Sequence, residues 1–284
     1  MISQFLRLEW KQYFRSSYWQ TSIALKIIMG FFAIYMLGSL LILGAFSFEI
    51  MEKAAPDVDP LQLVNSYLFY IFTVDLIFRY LMQKLPIMNI KPMLILPIKK
   101  SKLVHFVLRK SAFSFYNILP LFFYLPFTVR LIGKGYDVGG AWGWFLGVFL
   151  LTQSINFLNF LINKNNLAFW SAVVVVGGLM LSQKFQLFDI TIYSQAVFDV
   201  LYNQPLVSLL SIPLFATLYY LNFKQLYGKV YLDVAVSTKT KEANSADLSW
   251  ADRFGDVAPF IKNDIRLIWR NKRPKTVFLM SFLF

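Results

Sequence analysis

The sequence predicts an all-α polytopic membrane protein: a six-helix transmembrane bundle, preceded by an interfacial amphipathic helix and followed by the start of a second repeat. Hydrophobic residues make up 57% of the 284 residues and charged residues only 15%, whereas about a quarter of an ordinary globular domain is charged. Apolar runs of about 20 residues, the length that crosses a bilayer, recur along the chain. A short basic pattern before the first run also reappears near the end.

Residues 1–26 are predicted to form the interfacial helix and to lead into the first span. Arg7, Lys11 and Arg15 fall four residues apart, so they form one cationic stripe on a helix whose other faces are mostly apolar. A basic amphipathic helix in front of an apolar run is expected to lie in the membrane interface.

The same pattern returns in residues 260–284. Its bases are Lys262, Arg266 and Arg270, and Asp264 takes the position of Glu9. We interpret the two copies as equivalent elements of two repeated halves; two unrelated helices that flank membrane spans are the alternative. A seventh apolar run begins at Val277 and reaches only Phe284. We therefore expect the chain to be the front part of a protein with about twice as many spans.

Six apolar runs within residues 27–223 predict the membrane-spanning bundle. They cover residues 27–48, 61–82, 111–129, 141–162, 167 to about 181, and 206–223. Pro120 and Pro126 are expected to kink or break the third run unless neighbouring helices satisfy the freed carbonyls. The fifth run is short, so a thin or tilted helix, or one continued through 185–188, is expected. The charged and small polar residues of 224–259 predict a cytosolic linker.

The distribution of lysine and arginine predicts a cytoplasmic amino terminus, because positive residues near span ends are retained on that side. With this orientation the outer loops hold only Lys53, Arg130, Lys134 and Lys184. The net charge of +13 is thereby explained by the lipid bilayer as a partner, and a nucleic-acid partner is not needed.

No catalytic motif is visible, so the sequence does not predict an enzyme. The chain has no cysteine and one histidine, His105, which excludes thiol chemistry and a paired-histidine metal site. His105 lies among lysines, where an interfacial or loop position is expected. There is no G-x-x-x-x-G-K-[ST] phosphate loop and no G-x-S-x-G elbow. We expect no cofactor in this chain, and any ATP must be bound by a partner subunit.

Residues 83–110 form a basic inner segment without an acid. Pro97 disfavours helix at the residue before it, and Ser101 is predicted to cap a helix that runs into the third span. One interpretation is a short cytosolic coupling element that touches a partner subunit. The alternative is an ordinary positive loop that meets anionic headgroups.

Asp75 and Arg79 are the only charged pair within the predicted spans, and they lie one helical turn apart. An intramembrane charge is a functional candidate by default. Arg79 is close to the inner boundary, where an arginine can snorkel toward water, so a structural pair is the alternative. Gln153, Asn156 and Asn159 recur at helical spacing. They are expected either to line a polar cavity or to form hydrogen bonds between helices.

These features resemble the membrane subunit of type-2 ABC exporters, which has an interfacial helix, six spans with both ends inside, and a basic loop like the L-P-I-K-K segment at residues 96–100. The resemblance to a family of duplicated bacterial membrane proteins related to those permeases is closer still. It rests on the R-N-K-R-P sequence at residues 270–274, which in that family opens the second half. The architectural resemblance covers residues 1 to about 223.

The resemblance implies a permease of the bacterial cytoplasmic membrane that exports its substrate when a separate cytosolic ATPase closes on ATP. It also implies a second permease half, in the same longer chain or in a homodimer. The residues expected to face the ATPase are Arg7, Glu9, Lys11 and Arg15 on the first helix, and Pro97, Ile98, Lys99 and Lys100 in the inner loop. A non-transport membrane scaffold and a membrane-embedded enzyme are the alternatives.

Overall fold

A computed structural model describes most of the chain. The described residues are Arg7, Trp10, Lys11, Phe14, Arg15, 23–83, 99–163, 166–185, 188–229 and 248–270. Within these residues the regular structure is helical, without a strand. Several residues discussed above lie outside the described residues: Glu9, Pro97, Ile98, the 271–274 part of R-N-K-R-P and the predicted seventh run.

The described residues form ten α-helices and two 3₁₀ segments. The α-helices are Ile23–Ala54 (α1), Pro60–Met82 (α2), Lys100–Ala112 (α3), Phe115–Ile118 (α4), Leu121–Gly133 (α5), Val138–Ile162 (α6), Asn166–Lys184 (α7), Ile190–Asn203 (α8), Ser211–Lys229 (α9) and Ala258–Arg270 (α10). The 3₁₀ segments are Pro205–Leu210 and Ser249–Val257.

Five stretches are long and apolar enough to cross a membrane. They are α1, α2, the α4–α5 stretch Phe115–Gly133, α6, and the stretch Pro205–Gly228. The prediction of a multi-pass, all-helical membrane protein is confirmed at this level. The predicted fifth span corresponds to α7, whose apolar described stretch Val173–Lys184 is shorter than a full crossing. The count of six spans therefore stays a prediction.

Helix α1 packs on the bundle through its second half. Gly44, Ser47 and Phe48 are its buried residues, whereas side chains such as Phe31 in the first half are exposed. A Cβ atom at Gly44 would lie 2.3 Å from the carbonyl oxygen of Phe123. The missing side chain therefore lets α1 cross α5 at close range, as small residues do in membrane helix pairs.

The loops from α1 to α2 and from α5 to α6 meet at one end of the bundle, which we call the Asp59 end. The Asp59 carboxylate caps α2 by accepting the backbone N–H of Leu61 at 2.8 Å. Its other oxygen accepts the hydroxyl of Tyr136, and burial together with this bond raises the pKa of Tyr136. Arg130 pairs with Glu49 at the same end. Polar contacts thus fasten three helices together here.

The predicted third span is divided into α3, α4 and α5. The chain leaves the helical path after Ala112, and Pro120 separates α4 from α5, whereas Pro126 is accommodated inside α5. The prediction that Ser101 caps α3 is wrong. The helix begins at Lys100 after Lys99, whose side chain makes no capping bond. Ser101 therefore falls inside the first turn, where its hydroxyl is not in the capping position.

Helix α6 forms the centre of the bundle. Trp144, Val148 and Phe157 have no exposed surface. Gly143 lies against the 3₁₀ segment that precedes α9: a Cβ atom there would be 2.6 Å from Cβ of Pro205. The sequence Val138–Ile162 is thus surrounded by protein rather than by lipid along much of its length.

Helix α8 was not predicted from the sequence as a separate element. Asp189 caps it, because its carboxylate accepts the backbone N–H of Thr191 at 2.9 Å. Hydrogen bonding from Thr191 also lowers the pKa of Asp189. The helix packs along α2, where the Ser194 hydroxyl donates to the carbonyl oxygen of Asn65 at 2.6 Å.

The predicted linker, residues 224–259, contains the end of α9 and the second 3₁₀ segment. It leads into α10, an amphipathic helix whose exposed residues include Phe260 and Leu267. Lys262 Nζ lies 2.6 Å from Asp252 Oδ1. The second basic pattern is therefore helical. Its equivalence to the first pattern stays a prediction.

Candidate functional site

The side chains of Asp75 and Arg79 form an ion pair on α2. Arg79 Nε lies 2.7 Å from Asp75 Oδ2, and the exposed fractions of the two side chains are 0% for Arg79 and 23% for Asp75. The prediction that Arg79 snorkels toward water is wrong, because its guanidinium points into the protein. It donates there to the side-chain oxygen of Asn117 and, at 2.8 Å, to the carbonyl oxygen of Tyr116.

Asn117 connects this pair to the break between α3 and α4. Its amide nitrogen donates to the carbonyl oxygens of Ser111 (3.0 Å) and Ala112 (3.1 Å), and to Oε1 of Gln153 on α6 (3.0 Å). A carbonyl at a helix break must find a partner other than the helix itself, and within a membrane that partner must be protein. Asn117 contributes such bonds beside the Ser114 backbone N–H, which also reaches the Ser111 carbonyl, and Gln153 Nε2, which also reaches the Ala112 carbonyl. Asn117 thus joins a buried charge to a broken span.

The network continues along α6 through amide side chains. The Asn156 amide donates to Ser111 Oγ at 2.8 Å, and its oxygen accepts from Gln83 Nε2 at 2.8 Å. Asn159 in turn donates to Oε1 of Gln83 at 3.1 Å. Gln153, Asn156 and Asn159 thus form hydrogen bonds between helices, the second of the two expectations for them. Oδ1 of Asn159 is buried and has no hydrogen-bond partner among the described residues.

A cavity of about 680 Å³ lies beside this network, between α1, α2 and the α4–α5 stretch. Its walls are apolar over nearly their whole area and include Leu43, Ile71, Phe78 and Phe123. Asp75 also lines the cavity. Arg79 binds the Asp75 carboxylate at Oδ2 and does not itself line the cavity.

A second polar cluster fixes α8 against the bundle. Asn65 is fully buried, and its amide donates to Asp199 Oδ1 while its oxygen accepts the indole N–H of Trp144, both at 2.7 Å. The sequence did not predict this cluster, because its members lie on three helices and share no local spacing. Its bonds are all internal, which indicates a structural role.

The basic residues of α3 lie at the opposite end of the bundle, which we call the Lys100 end. His105 is not in a loop: its ring stacks on Phe223 of α9, with 4.5 Å between ring centroids, and its Nδ1 lies 2.7 Å from the Tyr219 hydroxyl. Lys100 Nζ sits 4.7 Å above the ring of Tyr227. Lys99 is exposed. These contacts hold α3 firmly on α9.

The remaining residues of the predicted ATPase-facing set are partly described. Arg7, Lys11 and Arg15 are exposed, and the backbone N–H of Arg15 donates to the carbonyl oxygen of Lys11 at 3.2 Å. Glu9, Pro97 and Ile98 lie outside the described residues. Across the part of the chain that the structure describes, no group of three His, Cys, Asp or Glu side chains converges on a possible metal position.

Comparison with known proteins supplies a family for this chain. No curated protein and no solved structure matches it significantly. One family model, described as "Family of unknown function (DUF5687)", matches residues 9–284. This range includes the helix break, the buried ion pair and the cavity. The chain, multi-pass and all-helical with a charged pair inside its bundle, therefore belongs to the DUF5687 family.

Proposed function

We propose that this chain is the membrane-spanning permease subunit of an ATP-driven exporter, energised by a separate ATPase. The observation that carries the proposal is the buried Asp75–Arg79–Asn117 network at the α3–α4 break, next to a cavity. Charged residues and broken helices are costly inside a membrane, and in transporters they occur where a substrate or ion passes.

The Lys100 end supports an orientation for this permease. It carries the basic helix α3, whereas Arg130 and Lys134 at the Asp59 end pair with Glu49 and Glu52. By the positive-inside rule the Lys100 end and the amino terminus are cytoplasmic. Six crossings, with α7 as the fifth, keep both ends of residues 27–223 on that side. A second half, from the same longer chain or a second copy, would face this bundle.

The same end offers a place for the ATPase. Lys99 is exposed at the start of α3 and Lys100 is held over Tyr227. The stacking of His105 on Phe223 links α3 to α9, which is part of a candidate span. A force applied at Lys99 would therefore reach the bundle through packed side chains. A scaffold would have no need of this connection, nor of a buried ion pair beside a cavity.

Purification from native membranes tests the proposal. We expect a phosphate-loop ATPase to co-purify with the wild-type chain and to be lost from the double variant Lys99→Glu/Lys100→Glu. Lys53→Glu is the matched control, because Lys53 is exposed at the Asp59 end. The control should retain the ATPase. If no such ATPase accompanies the wild-type chain, the proposal is wrong; if the double variant keeps it with full activity, the lysines act only on orientation.

A further inference from the structure

The cavity between α1, α2 and the α4–α5 stretch has a one-sided charge. Asp75 is the only charged residue among those that line it. Arg79 is fully buried behind Asp75 and does not reach the cavity. Of the two carboxylate oxygens, Oδ2 binds Arg79 Nε. Oδ1 has no partner among the described residues. Asp75 therefore brings a carboxylate oxygen without a partner among the described residues to the lining of a mostly apolar cavity.

Aromatic rings line the same cavity as Asp75. Six of the lining residues are aromatic: Phe72, Phe78, Phe115, Tyr116, Phe123 and Tyr124. Ring faces carry partial negative charge and attract cations, most strongly where water is excluded. The carboxylate and the rings thus favour the same kind of group, a cation with hydrogen-bond donors. An anionic head group would meet the carboxylate with no base among the residues that line the cavity.

The remaining walls are suited to a hydrocarbon chain. Leu43 of α1 and Ile71 of α2 lie on opposing helices that border the cavity. The volume of about 680 Å³ falls in the range of roughly 300–1,000 Å³ that is typical of sites for small organic molecules. The α1 residues that line the cavity are Met36, Leu40 and Leu43, so the cavity meets the middle of that helix, just before the buried Gly44.

We propose that this cavity binds an amphiphilic cation, with its ammonium group at Asp75 and its single hydrocarbon chain between α1 and α2. The proposal deepens the proposed function, because it names the substrate class of the permease. It rests on that function only in calling the ligand a substrate. Binding itself requires no ATPase and no ATP.

Photolabelling of the purified chain in lipid nanodiscs tests the inference. The probe is dodecylamine with a photoreactive diazirine near the end of its chain. Unlabelled dodecylamine, dodecanol and dodecanoate, which share one chain length, compete with it. We expect dodecylamine to compete at a concentration about tenfold lower than dodecanol, because the ammonium gains both the carboxylate and the rings. Dodecanoate should compete least.

Two variants separate the site from the surrounding lipid. Leu43→Trp fills the cavity without touching the ion pair and should abolish labelling. Ile42→Trp is its matched control, because Ile42 is 58% exposed on the same helical turn but does not line the cavity. In the double variant Asp75→Asn/Arg79→Gln both charges are removed. The preference for the amine should then disappear while dodecanol still binds.

The inference is overturned if Leu43→Trp labels as strongly as Ile42→Trp, or if dodecanoate and dodecylamine compete equally in the wild-type chain. Either result would mean that the cavity is a crevice filled by lipid chains, without selectivity for the amine. Because the photolabelling assay contains no ATPase, a negative result in it would not contradict the proposed function. Conversely, selective binding of the amine without a co-purifying ATPase would refute the proposed function and leave the binding site in place.

Discussion

Replacing Asn117 by alanine should destabilise the bundle strongly. Asn117 is 1% exposed and forms hydrogen bonds with four groups: the Arg79 guanidinium, the Ser111 and Ala112 carbonyl oxygens, and the Gln153 side chain. Hydrogen bonds between membrane helices contribute on average about 0.6 kcal/mol each. Leaving a buried charged donor short of a partner adds about 1–3 kcal/mol. We therefore expect a loss of about 3–5 kcal/mol in the free energy of unfolding.

Asn222→Ala is the matched control for this substitution. Asn222 is also 1% exposed, and its amide donates to the carbonyl oxygens of Phe157 (2.9 Å) and Leu218 (2.8 Å). Both carbonyls lie within α-helices, where they already accept a backbone N–H. Removing this amide therefore leaves no group without a partner. The expected loss is about 1 kcal/mol or less.

Unfolding in mixed detergent micelles, with a denaturing detergent as the titrant and circular dichroism as the signal, measures both losses. The reasoning requires Asn117→Ala to be clearly more destabilising than Asn222→Ala. Equal losses would mean that neither the additional bonds of Asn117 nor its place at the helix break contributes to stability. The account of the α3–α4 break would then be refuted.

Two further predictions concern helix packing and orientation. Gly143→Leu should destabilise the protein by more than about 3 kcal/mol, because the new side chain would overlap Pro205. Gly30→Leu is the control and should be neutral in the same titration, because nothing lies within 4 Å of its Cβ position. The chain has no natural cysteine, so the labelling of a single introduced cysteine shows on which side of the membrane that residue lies. Ala54→Cys should react with a membrane-impermeant thiol reagent in intact cells. Gly228→Cys should react only after lysis. Labelling of Gly228→Cys in intact cells would show that the orientation is the opposite of the proposed one.

The parts of the site that could be predicted are those with a local signal. The four-residue separation of Asp75 and Arg79 was enough to predict a pair on one helix face. The spacing of Gln153, Asn156 and Asn159 was enough to predict a shared polar role, either the lining of a cavity or hydrogen bonds between helices. Their partners were not predictable, because a hydrogen bond such as that from Arg79 to Asn117 joins residues far apart in the sequence.

In the fold, too, the elements that could be predicted are those with a local signal in the sequence. Long apolar runs predicted the main spans well, because a bilayer requires about 20 such residues. Helix α8 is shorter and contains Asp199 and Gln195, so no apolar run long enough for a span marks it in the sequence. Its helical form depends on contacts with α2 that no local pattern records, including the bond from Ser194 to Asn65.

The amide residues of α6 have a consequence for how insertions would be tolerated. An α-helix turns by about 100° per residue, so each step of three residues brings the next side chain round by about 60° short of a full turn. Gln153 consequently meets Asn117, while Asn159 meets Gln83, the residue that follows α2. The amides follow a spiral around α6, and Asn156 lies between its two neighbours, bonding both Ser111 and Gln83. One residue inserted between Gln153 and Asn159 would rotate every later amide away from its partner, so this segment should keep a constant length wherever the network is kept.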